Sequence, residues 1–158
     1  MLGASNGSYA DKYTLRFDEQ AAAGFELTKD SWKLLSDGEG VCQIWSESPD
    51  GKLAMDTRPY EPVIQLGFQN NQPGVYSISI EEIANIPNLY LEDTKTGTFH
   101  DLTQSPYEFA WETTDSEYRF NLHLRFEENI NDEISDNITC LRVKDISTNG
   151  IIQTQKGE

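Results

Sequence analysis

The clearest periodicity in the chain is Phe120, Leu122, Leu124 and Phe126 alternating with Arg119, Asn121, His123 and Arg125. Four apolar residues at period two put one side of a strand in a core and the other in water. The same period runs back to Asn88. Leu89 and Leu91 alternate with Tyr90 and Glu92, residues 98–102 return after a turn at 93–97, and Tyr107, Phe109 and Trp111 share a face. Four consecutive antiparallel strands are therefore predicted over 88–126. Gly97 falls where the hairpin needs a positive φ. Glu92 and Arg119 read as an outward-facing cross-strand pair that fixes register.

Earlier in the chain, Tyr13, Leu15 and Phe17 alternate and predict a first strand. Residues 41–46 and 52–55 read as a hairpin turning at Ser48, Pro49, Asp50 and Gly51. A second pair, starting with Val63, Ile64, Leu66 and Phe68 and returning with Tyr76, Ile78 and Ile80, turns at 70–74. Residues 18–24 suit a loop or one helical turn, 58–62 a proline-bearing loop, and 25–35 show no clear period. Residues 138–143 are predicted as a last strand after an acidic, asparagine-rich linker at 127–136. About ten short strands with polar turns predict an all-β chain: a two-sheet antiparallel sandwich, jelly-roll or immunoglobulin-like. The predicted layout is a flexible segment at 1–10, the sandwich domain at 11–145 and a tail or truncated linker at 146–158.

Charge narrows the partners. Twelve Lys and Arg against 27 Asp and Glu give a net −15, which repels nucleic acid and anionic membranes. No apolar run approaches the roughly 18 residues of a membrane span, so membrane insertion is not expected. The first residues look like an internal cut rather than a leader, which leaves export of the native protein open. The two cysteines, Cys42 and Cys140, are too few for a four-cysteine zinc site. They read either as one disulfide or as two small buried residues.

The stretches FDEQAAAGFELTKDSWKL and CQIWSESPDGKLAMD, the PVIQLGF and GVYSISI pair, and NLYLEDTKTGTFHDL followed by YEF and YRFNLHL resemble a module of large Bacteroidota surface proteins. The most specific pieces are Tyr90 to Asp93, Lys95 to Gly97, Leu102, Tyr107, Phe109, Arg119, Phe120, Leu122 and His123. In those proteins a β-sandwich of this pattern precedes the C-terminal sorting domain read by the type IX secretion system. The resemblance covers roughly residues 13–126. It implies an exported, extracellular or cell-surface setting, and neither a ligand nor a reaction.

Candidate chemistry is sparse. His100 and His123 lie in no metal-ligand spacing, there is no GxSxG or phosphate loop, and Ser105 and Cys42 carry no nucleophile signature. Glu92 with Asp93, or Asp115 with Glu117, are the carboxylate neighbours that a glycosidase would need. Among 27 acidic residues chance adjacency is the expected source of such neighbours. No enzyme, cofactor or metal site is expected. Calcium is the one ion left open, through Asp37 with Glu39, Asp93, or the acidic 127–136 segment. Trp45 and Tyr90 fall out of phase with their apolar neighbours and, with Trp32 and Tyr60 in nearby loops, are candidates to stack on sugar rings. Trp111, in phase with Phe109, belongs to the core. The expected function is a non-catalytic spacer or interaction module of an adhesive surface protein, next to neighbouring domains and a protein or glycan partner. Carbohydrate binding through exposed aromatics is the alternative, and a hydrolase the least favoured one.

Overall fold

The computed structural model describes residues 1–86 and 88–125. Eleven strands follow the alternating segments: β1 (Leu2–Ser5), β2 (Ala10–Phe17), β3 (Ser31–Trp32), β4 (Gln43–Ser48), β5 (Gly51–Arg58), β6 (Val63–Gln69), β7 (Gly74–Ile80), β8 (Asn88–Asp93), β9 (Thr98–Asp101), β10 (Tyr107–Trp111) and β11 (Phe120–Arg125). The fold is all-β, with no helix among the described residues. The strand predicted at 138–143 and the linker and tail around it lie outside the described residues.

Hydrogen bonds join the strands in one path, β10-β7-β1-β2-β5-β4-β6-β11-β8-β9, with β3 added on β5. The joint is β2. Its first half pairs antiparallel with β1 through Tyr13↔Leu2, and its second half pairs parallel with β5 from Thr14↔Met55 onward. A strand that changes partners midway turns a sheet through a corner. The path consequently rolls into a nearly closed, barrel-like sheet whose two ends meet through side chains. Tyr107 on β10 donates to Asp93 on β8 at 2.8 Å, and the Tyr107 and His100 rings lie 5.3 Å apart.

Three expectations need correcting. Residues 1–10 do not form a flexible segment: β1 is inserted between β2 and β7, with Leu2 and Ala4 in the core. The four strands of 88–126 all form, but they are not consecutive neighbours. Only β8 and β9 make a hairpin, while β10 pairs with β7 and β11 with β6. Likewise β6 and β7 do not pair with each other; they lie on β4 and β1.

Phe68 sits at the centre of the core, edge-on to Tyr76, Phe109, Trp111 and Phe120 at 4.9–6.3 Å. Each such pair adds about 0.5–1.5 kcal/mol beyond area burial. Trp111 is buried as expected, and its indole N–H donates to Asn70 O at 2.9 Å. Gly97 has φ 68° and closes the β8–β9 turn by donating to Asp93 O at 2.8 Å.

Candidate functional site

The strap between β2 and β4 carries an exposed, stacked aromatic pair. Asp30 anchors it by accepting from Thr57 N at 2.7 Å, Thr57 Oγ1 donates to Lys29 O, and the buried Lys33 ammonium pairs with Asp11. So held, β3 sets Trp32 against Leu53 of β5. The Trp32 ring is 43% exposed and stacks on Phe25, with centroids 4.1 Å apart and planes 10° apart. Phe25 is fixed in turn, its N–H donating to Asp50 Oδ2 at 2.8 Å. A Cβ at Gly24 would lie 2.3 Å from that carboxylate oxygen, so a larger residue there would displace the Asp50 side chain. The product is a two-ring platform fixed to the β4–β5 turn.

The other three aromatics differ. Trp45 is corrected from a surface candidate to a buried one, 0% exposed. Its indole lies on Gly67 across the β4–β6 pair, where a Cβ would come 1.9 Å from Cε2. Lys52 Nζ covers its open face at 4.4 Å from the ring centroid and is itself held by Glu117 at 2.7 Å. Tyr60 is half-buried, donating to Leu124 O at 3.0 Å and meeting Phe17 edge-on. Tyr90 is half-buried opposite Asp101 on β9. Strands β4, β6 and β11 separate β5 from β8, so Trp32 and Tyr90 do not form one patch.

The ionisable candidates for catalysis are each engaged in pairs of their own. His100 Nε2 lies 2.9 Å from Ser105 O and 3.2 Å from Ser105 Oγ. A carbonyl only accepts, so Nε2 carries the proton and is not free to take one from the hydroxyl. Glu92 and Asp93 diverge. Glu92 accepts from Asn121 at 2.9 Å and lies 2.8 Å from His123 Nε2, and these hydrogen bonds hold its carboxyl below the usual range. Asp93 goes to Arg119, which replaces the expected Glu92–Arg119 pair. Arg119 is 3% exposed; its Nε and Nη2 make a bidentate pair with Asp93 at 2.7 and 2.5 Å, and Nη1 reaches Asp115 at 2.9 Å. Asp115 and Glu117 are thus split between Arg119 with Lys95 and Lys52. Among the described residues no three His, Cys, Asp or Glu side chains gather as metal ligands. Cys42 is buried, its Sγ 3.2 Å from Ala4 O and 3.3 Å from Tyr9 O, whereas Cys140 lies outside the described residues.

A polar cleft of about 200 Å³ opens where the β3–β4 connection meets the end of β6, lined by Ser36, Asp37, Gly38, Val41, Gln43, Gln69 and Asn71. Sequence reading missed it, as it missed Phe25. Residues 70–74 read as a turn, and nothing local shows that the 36–41 loop folds onto it.

A family model described as a domain of unknown function, DUF8693, matches residues 4–124. The chain belongs to that family. The match spans the DUF8693 sheet from within β1 to β11, including the Arg119 network, the Trp32 platform and the cleft. No curated protein and no solved structure matches this DUF8693 chain. Among its described residues no helix is long and apolar enough to cross a membrane.

Proposed function

We propose that this DUF8693 domain is a non-catalytic spacer or interaction module of an exported, cell-surface protein, a sandwich-like fold that presents neighbouring domains. One observation carries the reading: the side chains chemistry would need are held in structural pairs. Asp93 and Asp115 are bound to Arg119, Glu117 to Lys52, Glu92 to His123, and His100 Nε2 to a carbonyl. Clasping the two ends of the sheet with a buried ion network suits a part that must resist unfolding and proteolysis. The resemblance to modules beside type IX sorting domains supports the surface setting.

Protease shaving of intact source cells, read by an antibody to the domain, tests the location. Loss of the epitope from unbroken cells is expected; an epitope reached only after lysis overturns the surface assignment.

Carbohydrate binding is the second reading, favoured by the exposed Trp32 ring stacked on Phe25. Flat aromatic surfaces of this kind accept the apolar face of a sugar ring.

A further inference from the structure

Four amide side chains hold the 36–41 loop that walls the cleft at the end of β6. Buried Gln43 acts as a strand partner for Ser36, accepting from its N–H at 2.5 Å and donating to its carbonyl at 3.0 Å. Asn71 Oδ1 accepts from Gly40 N at 2.9 Å, and its amide donates to Gly38 O. Asn70 and Asn6 both donate to Gly40 O, at 2.9 and 3.1 Å. The loop is thereby fixed without apolar packing. The sequence reads Asn70 and Asn71 as turn residues, Gln43 as part of a strand and Asn6 as part of the N-terminal segment, and nothing local shows that they meet this loop.

Two lining groups are left over. Among the described residues, neither the Asp37 carboxylate nor the Gln69 side-chain amide has a hydrogen-bond or ion-pair partner. Gln43 and Asn71 each use one donor and one acceptor in holding the loop and keep a second of each. The cleft therefore offers a carboxylate acceptor beside amide groups that both donate and accept.

That inventory selects a ligand class. No cationic side chain lines the cleft, and Asp37 with the net charge of −15 disfavours phosphate, sulfate or carboxylate ligands. Val41 is its one apolar side chain, so an aliphatic or aromatic ligand finds little surface. A single carboxylate is a poor ligand set for calcium, which takes six to eight oxygens, often several from carboxylates. Neutral hydroxyl groups both donate and accept, which is what carboxylate and amides together satisfy. The volume, about 200 Å³, is below the roughly 300–1,000 Å³ of drug-sized pockets and fits one ring.

We propose that this cleft is a binding site for a neutral sugar ring, with Asp37 and Gln69 contacting adjacent hydroxyls. The proposal rests on the carbohydrate reading above and locates a site for it distinct from the Trp32 platform. Gln43 and Asn71 are already tied to the loop, so only Asp37 and Gln69 have to be ordered by the ligand, which limits the entropy lost on binding.

The test is calorimetric titration of the full chain with neutral mono- and oligosaccharides, using Asp37→Ala, Gln69→Ala and Trp32→Ala variants. Asp37 is exposed and Gln69 half-exposed, so both variants should unfold thermally with the wild type. Binding of a neutral sugar that weakens at least tenfold in Asp37→Ala and Gln69→Ala supports the cleft, whether or not Trp32→Ala also weakens it. Binding lost only in Trp32→Ala overturns the cleft and leaves the carbohydrate reading intact. No neutral sugar bound by the wild type overturns both. Amide chemical shifts give a second readout: saturating sugar should move the Gly38 and Gly40 N–H signals, and shifts confined to residues around Trp32 count against the cleft.

Discussion

Two buried arginines solve one problem differently. Arg119 has every donor group placed: Asp93 takes Nε and Nη2, while Nη1 reaches Ala110 O at 2.7 Å and Asp115. Asp93 is completed by the Tyr107 hydroxyl and by Lys95 N at 3.0 Å. Arg58 also pairs with a carboxylate, Asp56 at 2.5 Å, and donates to Glu47 O at 2.7 Å, but its buried Nε has no partner. Asp56 sits two residues away on the same strand, whereas Arg119 ties β8, β10 and its own segment together. The difference is between a network among strands already paired, where Asp56 also takes the Ser46 and Tyr13 hydroxyls and Arg58 reaches Glu61, and a clasp across the open seam of the sheet.

The largest effect should come from cutting the clasp. Arg119→Met leaves Asp93 buried and uncompensated and should cost about 3–5 kcal/mol of unfolding free energy. Replacing both partners at the other site, Asp56→Leu with Arg58→Met, removes an incomplete network. Because Asp56 also accepts from the buried Ser46 and Tyr13 hydroxyls, that change leaves both without a partner and should cost a smaller amount, about 1–3 kcal/mol. Urea denaturation of both variants checks the contrast, and equal losses would erase it.

Acid should sharpen the comparison. Burial pushes the Asp93 carboxyl up, but hydrogen bonds from Arg119 and Tyr107 and the guanidinium charge bring it below its ordinary value. Asp115 is buried too and is likewise held down, first by Lys95. A carboxyl depressed in the folded state contributes stability above its unfolded pKa, near 4, and that contribution is lost as pH falls through the folded value. Wild-type stability should therefore decline below about pH 4. The gap to Arg119→Met should narrow there, since a protonated Asp93 no longer needs a cation. A gap that is constant from neutral to acid pH would assign the loss to packing alone.

Gly97→Val acts on the same clasp through the backbone. With φ 68° and nothing within 4 Å of an added Cβ, only conformational strain opposes the side chain, about 1–2 kcal/mol. Gly97→Asn should lose less, because Asn tolerates the left-handed region. Matching melting curves for wild type and Gly97→Val would detach the turn from the network. Smallest of all should be Glu92→Gln, which weakens a partly exposed pair with His123 by up to about 1 kcal/mol.

Strand existence was legible where alternation is local: nine of the strands among the described residues lie on segments whose period could be read, whereas β1 lies in a stretch read as flexible and β3 in one with no clear period. Strand partners were not legible. The Glu92–Arg119 pairing assumed a meander, and β10 leaves that order to join β7. Trp45 shows the same limit. Its phase placed it on the face opposite Ile44, but not that Lys52 covers it or that Gly67 makes room beneath it. The missed cleft depends on Asn71 meeting Gly40, a contact between separate loops.

The changeover in β2 has a consequence for the order of assembly. β1 and β2 are made before their partners, yet β1 needs β7, β2 needs β5, and the seam needs Arg119. At synthesis rates of about 5–20 residues per second, the first strands wait roughly 5–20 s for the residue that completes them. Pairings so distant along the chain also fold slowly, on the order of milliseconds to seconds. A nascent chain halted before Arg119 carries its aromatic surfaces unclasped, so this domain finishes folding only after nearly all of its sheet has been made.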